Sequence, residues 1–150
     1  MNEVLVEFVV MVGSELMDET ALPVPLPPIG SEAGIDGALR ICVNGDEFLG
    51  PRHWDRVDVV ARNLRSALDD ALGGKTAAAA FPDTRLELEI TPADDGQVTL
   101  CLEGVSVCVP AKSLDEALDA CVQRLLALQP PLFRTEALQA LERRMRSAPR

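Results

Sequence analysis

The residues of this 150-residue chain whose types could do chemistry are few, and none has a complete set of partners. His53 is the only histidine. It lies between Arg52 and Trp54, beside Asp55. A general base needs a held substrate and a neighbour that orients its ring; without them, His53 reads as a surface residue at the start of a helix. The four cysteines, Cys42, Cys101, Cys108 and Cys121, include no C-x-x-C pair and lack zinc spacing. A nucleophilic thiol needs a base and a positive setting. Cys42 and Cys121 sit in apolar runs and read as core packing, while Cys101 and Cys108 lie among Glu87, Glu89 and Glu103, without the cation a thiolate needs. Asp94-Asp95-Gly96 lacks the further ligands of a calcium loop and reads as a turn. Gly73-Gly74-Lys75-Thr76 has the ending of a phosphate loop, but not its upstream glycine, and it closes a helix where such a loop opens one. Glu87 and Glu89 alternate on one strand face. Paired carboxylates can cleave glycosides, but no aromatic platform accompanies these two. The sequence therefore predicts no catalytic set, no metal site, no cofactor and no enzyme.

Charge is the stronger signal. Asp and Glu number 24 against 14 Lys and Arg, a net charge of −10. Nucleic acid and anionic membranes are disfavoured as partners, because phosphate binding needs a basic patch. A basic protein partner fits, as does solubility alone. The excess is uneven: residues 1–51 carry Arg40 as their only cation, whereas the last 21 residues are basic through Arg134, Arg143, Arg144, Arg146 and Arg150. Such a tail can fold back onto the acids, or it can be a solvated end. No basic leader precedes the apolar residues 4–12, and no apolar run is long enough to cross a bilayer. The expectation is a cytoplasmic protein with reduced thiols.

The elements that must position these residues follow from periodicity. Residues 4–12 are apolar on both alternating sets, which predicts a strand buried on both faces over much of its length. Prolines and glycines then make residues 13–37 a long loop or surface strap, with Leu22, Val24, Leu26 and Ile29 as apolar anchors. Asn44-Gly45 predicts a hairpin between Leu39–Val43 and Asp46–Leu49. Residues 53–72 have helical period, with Trp54, Val57, Val60, Ala61, Leu64, Leu68 and Leu72 inward and Arg56, Arg62, Arg65 and Asp69 outward. Gly73-Gly74 stops the helix.

A three-stranded meander follows. Glu103-Gly104 as a two-residue turn pairs Leu102 with Val105, Leu100 with Val107 and Val98 with Val109. Facing Ile90 with Val98 and Leu88 with Leu100 leaves Thr91 to Gln97 as the other loop. In this register Cys101 faces Ser106 and Cys108 faces Thr99, so the two thiols are diagonal and a disulfide is not expected. Ser113-Leu114-Asp115-Glu116 reads as a capping box opening a second helix, and a third runs from about Thr135. The prediction is one α+β domain over residues 1–150: a mostly antiparallel sheet (β, ββ hairpin, α, βββ meander, α, α) with helices packed on one face.

What remains as a candidate site is surface. Glu87, Glu89 and Glu103 on the meander, with the acidic turns Asp94-Asp95 and Asp46-Glu47, form either a solvated face or a negative surface that steers a basic partner. In size, in charge, in the hairpin Leu39 to Leu49, in the helix after Trp54 and in the Phe81-Pro82-Asp83 approach to the meander, the whole chain resembles the small acidic immunity proteins of bacterial toxin systems. That resemblance implies a cytosolic inhibitor binding a cognate, basic toxin domain; it assigns no individual residue. A second reading is a secretion chaperone or adaptor that holds an effector segment, and a third a small enzyme of unknown reaction. The chain is expected to be a monomer or homodimer.

Overall fold

The computed structural model describes residues 3–147. Its architecture is α+β and, within its strands, antiparallel throughout. Strands β1 (Val4–Val12), β2 (Glu15–Asp18), β3 (Asp36–Val43), β4 (Asp46–Leu49) and the two-residue β5 (Asp55–Arg56) make a first sheet in the order β2-β1-β3-β4, with β5 beside β3. After helix α1 (Val57–Leu72), strands β6 (Ala77–Ala80), β7 (Glu87–Pro92), β8 (Gln97–Leu102) and β9 (Val105–Pro110) make a second sheet in chain order. Helices α2 (Ala111–Leu126) and α3 (Glu136–Ser147) follow.

The expected single sheet is therefore two. α1 is the reason: it packs against β3 of the first sheet and against β6 and β7 of the second. Val57, Val60, Ala61, Leu64, Leu68 and Ala71 are all buried on it. A helix clothed from two directions needs a wide apolar stripe, and small Ala61, Ala67 and Ala71 let the sheets close in. α2 packs on β1 with Leu114, Leu118, Cys121, Val122 and Leu125 inward. α3 closes against α1 and α2 through Leu138 and Leu141.

Both predicted two-residue turns form. Asn44-Gly45 (φ 52° and 87°) and Glu103-Gly104 (φ 51° and 81°) hold positive φ at both centres, the twist a tight hairpin needs. The β8–β9 register is the predicted one, with Cys101 opposite Ser106 and Cys108 opposite Thr99. The β7–β8 register differs by two residues: Ile90 faces Leu100 and Pro92 faces Val98. A shift of two keeps every side chain on its face, and it lengthens the ladder while shortening the loop to Ala93–Gly96. Gly37 shows a different constraint. A Cβ there would lie 2.2 Å from the Val9 carbonyl oxygen, so β1 and β3 can pair at this point only around a glycine.

Other expectations give way to tertiary context. The loop at 13–37 contains β2, which turns back on β1 at Gly13-Ser14, and a 3-10 turn at Glu19–Ala21. Beyond these the strap is anchored by buried Ile29, bridged to Leu132, and by buried Ile35. β1 is covered on one face by Val6, Phe8 and Val10; on the other Val9 is buried, but Leu5 is 46 % exposed. Helix α1 begins at Val57, so Trp54 lies ahead of it and is 47 % exposed. β6, four alanines, carries too weak a strand signal to be legible. No capping box forms at Ser113, because Pro110 ends β9 at φ −61° and leads straight into the helix, placing Ser113 inside its first turn. Thr135 does cap α3, its Oγ1 accepting from the Leu138 N–H at 3.2 Å.

No described helix is long and apolar enough to cross a membrane.

Candidate functional site

The candidate acids fall into four places, Glu103 standing apart in the β8–β9 turn. β7 alternates exposed Glu87, buried Leu88, exposed Glu89 and buried Ile90, so both carboxylates stand on the outer face of the second sheet. Glu89 lies opposite Cys101, and Ser106 and exposed Cys108 continue that face across β9. Asp94 and Asp95 are exposed in the β7–β8 turn, at the other end of β8 from Glu103. Asp46 and Glu47 belong to the first sheet. The structure does not gather the seven residues into one cluster.

It does bring two hairpins together. Val43, Asp46, Glu47 and Phe48 of β3–β4 meet Leu102, Val105, Ser106 and Val107 of β8–β9 around a cleft of about 550 Å³, with Arg52 at its side. This lies within the ordinary range for a binding cleft. Its lining is mixed, with Phe48, Leu102, Val105 and Val107 set beside Asp46, Glu47, Arg52 and Ser106, and Val105 is 58 % exposed. Nothing in the strand pattern marked these residues, because Val105 and Val107 alternate just as buried Val109 does.

His53 joins the two sheets beside this cleft. Its Nδ1 accepts the Gly50 N–H at 3.2 Å, which assigns the ring proton to Nε2, and Nε2 donates to Glu103 Oε1 at 3.2 Å. The ring is buried, contrary to the surface position expected from sequence. Both ring nitrogens are engaged by groups of the chain itself. Buried Asp55 has a similar task. It accepts from the backbone N–H groups of Arg56, Asp83 and Thr84 and from the Thr84 hydroxyl, tying α1's approach to the turn before β7. Burial pushes this carboxyl up, but the hydrogen bonds outweigh it and hold it below its ordinary 3.8.

Two of the cysteines are chemically quiet. Burial, reinforced by Glu19, pushes the Cys121 thiol up to about 12, and burial with Glu47 raises that of Cys42. Cys108 Sγ donates to Gln97 Oε1 at 2.9 Å. All four thiols are free. Among the described residues no group of His, Cys, Asp and Glu converges as metal ligands would.

The feature most at odds with the sequence reading is Arg65. Expected on a solvent face, it is 2 % exposed. Its guanidinium donates to Asp119 at 2.8 Å, to Asp69 at 2.8 Å and to Asp115 at 2.5 Å. Arg144 of α3 adds bonds to Asp69 at 3.0 Å and Asp119 at 3.4 Å. Three helices are thus riveted by two arginines and three aspartates. Asp69 beside them pushes the Arg144 guanidinium further up. The signal for this was present: Arg65 and Asp69 are four apart, as are Asp115 and Asp119, so each pair shares a helix face. What the sequence could not say is that the two faces meet.

The basic tail accordingly folds back, through Arg144, onto acids of α1 and α2; Arg134 and Arg146 both reach Glu142 within α3's own region, and Arg150 lies outside the described residues. Several cations elsewhere are similarly taken, while among the described residues Arg52, Lys75, Arg85 and Arg143 join no ion pair. Arg40 holds Glu7, Asp18 and Glu47, Arg56 holds Asp83, and Arg124 holds Glu19 at 2.6 Å. Among the described residues no ion pair reaches Glu87, Glu89, Asp94, Asp95 or Asp46. The sheet's outer acids are left to water. Compared with protein-family models, curated proteins and solved structures, the chain matches none.

Proposed function

We propose that this chain is a protein-binding inhibitor, an immunity protein that neutralises a basic toxin domain by forming a stoichiometric complex in the bacterial cytoplasm. The observation that carries this reading is the partition of charge. Many of the fold's cations are paired with acids of the other elements, while no ion pair among the described residues reaches Glu87, Glu89, Asp94 or Asp95 on the outer face of the second sheet and its turn. Uncompensated surface carboxylates set up the field that speeds encounter with a positive partner, whereas paired ones cancel.

One observation favours the second reading, a secretion chaperone or adaptor: the cleft between the β3–β4 and β8–β9 hairpins, of mixed apolar and polar lining, has the dimensions to hold part of an extended effector segment.

Affinity capture from the native host with tagged protein at low salt separates the readings. A single basic protein recovered one-to-one, toxic when expressed alone and harmless when expressed with this chain, is the expected result. Secreted or unfolded clients would move the assignment to a chaperone, and no partner at any salt would overturn both.

A further inference from the structure

We propose that β9 is a homodimer interface, pairing antiparallel with β9 of a second copy with Val107 on the two-fold axis. The inference is independent of what the acidic face binds.

The four-stranded sheet ends at β9, and no described strand pairs with its outer edge. The Glu103-Gly104 turn makes Leu102 and Val105 a hydrogen-bonded pair. By alternation, the backbone groups of Val105, Val107 and Val109 point toward β8, and those of Ser106 and Cys108 point outward. Proteins shield such edges with charge, bulges, short length or a covering helix. Every other edge here is shielded. β2 is four residues long and carries Glu15 and Asp18; β4 is equally short, carries Asp46 and Glu47, and lies across a register irregularity from β3; β6 is covered by α1. β9 is the long unshielded edge: it has six residues, no charge from Val105 to Val109, no bulge, and a proline only at its end, whereas β6, equally neutral, is four residues long and packs on α1.

That segment, Val-Ser-Val-Cys-Val, reads nearly the same in both directions. Antiparallel pairing about Val107 sets Ser106 opposite Cys108, where each strand's outward N–H and C=O meet the other's. It also sets Val105 opposite Val109 and the two Val107 side chains together. Val105, 58 % exposed in the isolated chain, is covered. A protein of net charge −10 can pair with itself here because the contact strand is itself neutral, with Asp46 and Glu47 across the cleft as the nearest acids of the first sheet. Two acidic sheets would then run on as one, with both sets of Glu87 and Glu89 on the same side.

The test is mass by size-exclusion chromatography with light scattering. The wild type is expected at twice the mass of the chain, and Val107→Lys at the single mass with an unchanged circular dichroism spectrum. Register is read separately in a Cys101→Ser, Cys108→Ser background. Val107→Cys places two thiols on a non-hydrogen-bonded pair with Cα atoms about 4.5 Å apart, inside the range a disulfide spans. Diamide, which takes up the two thiol hydrogens, should link the copies; Val105→Cys should not link. A wild type that stays monomeric overturns the proposal and leaves the edge to a strand of another protein. A dimer that survives Val107→Lys, or that links through position 105 and not 107, overturns it equally.

Discussion

Two regions of this molecule hold carboxylates in similar density and use them in opposite ways. Between the helices, Asp69, Asp115 and Asp119 surround Arg65 and Arg144 in a half-dry seam. On the second sheet, Glu87 and Glu89 alternate into water without a described cation. In the seam, Arg65 and Asp119 have lost hydration and depend on their partners, while Asp69, Asp115 and Arg144 at its rim keep some water. On the sheet, hydration is intact and the charges cost the fold little. Charge that stabilises and charge that can recruit a partner are thus distinguished by what surrounds them, not by residue type.

The comparison is sharpest at Arg65. Arg65→Ala takes Asp115's cation away, leaves Asp69 and Asp119 only Arg144 at the rim, and opens a buried gap, so it should cost about 4 kcal/mol, seen as a fall in chemical-denaturation midpoint. A loss below about 1 kcal/mol would mean the seam is as wet as the sheet. Asp55→Ala should come next, at about 3 kcal/mol, because it unsatisfies several buried or half-buried donors at once. Asp55 also predicts a pH dependence. Its folded value lies below the ordinary 3.8, so its stabilisation is fully present above that pH and is lost as pH falls through the folded value. The wild type should therefore lose stability in acid more steeply than Asp55→Asn does, a difference that equilibrium unfolding from pH 6 down to pH 2 would reveal.

Arg144→Ala removes a half-exposed partner from the seam's rim, for an expected loss of about 1 kcal/mol. The smallest effect on stability belongs to the sheet: Glu87→Gln with Glu89→Gln should change it by less than about 0.5 kcal/mol. The same pair should slow association with a captured basic partner and flatten its salt dependence. Unchanged association kinetics would remove these two residues from the binding surface, whatever the partner.

Local chemistry made much of the fold legible. Asn44-Gly45 and Glu103-Gly104 announce their hairpins because positive φ is a property of the turn residues themselves. β7, β8 and β9 declare their buried faces because a period of two survives any environment. Elements without their own signal were lost. β6 is four alanines that pair only because β7 and α1 are present, and β2 was hidden in a stretch dominated by the prolines after it. The candidate site divides in the same way. The exposed acids could be named from alternation alone, but the cleft between the hairpins joins residues more than fifty positions apart.

What the sequence determined alone was the α+β class, the two hairpin turns, the inward face of each meander strand and the negative charge. Those depend on backbone preference and on periods read over a few neighbours. The tertiary structure decided that Arg65 is buried and Trp54 is not, that one sheet becomes two around α1, and which acids remain unpaired. Burial and pairing are set by what arrives from elsewhere in the chain. Arg65 meets Asp115 fifty residues away, and no window of local sequence contains both.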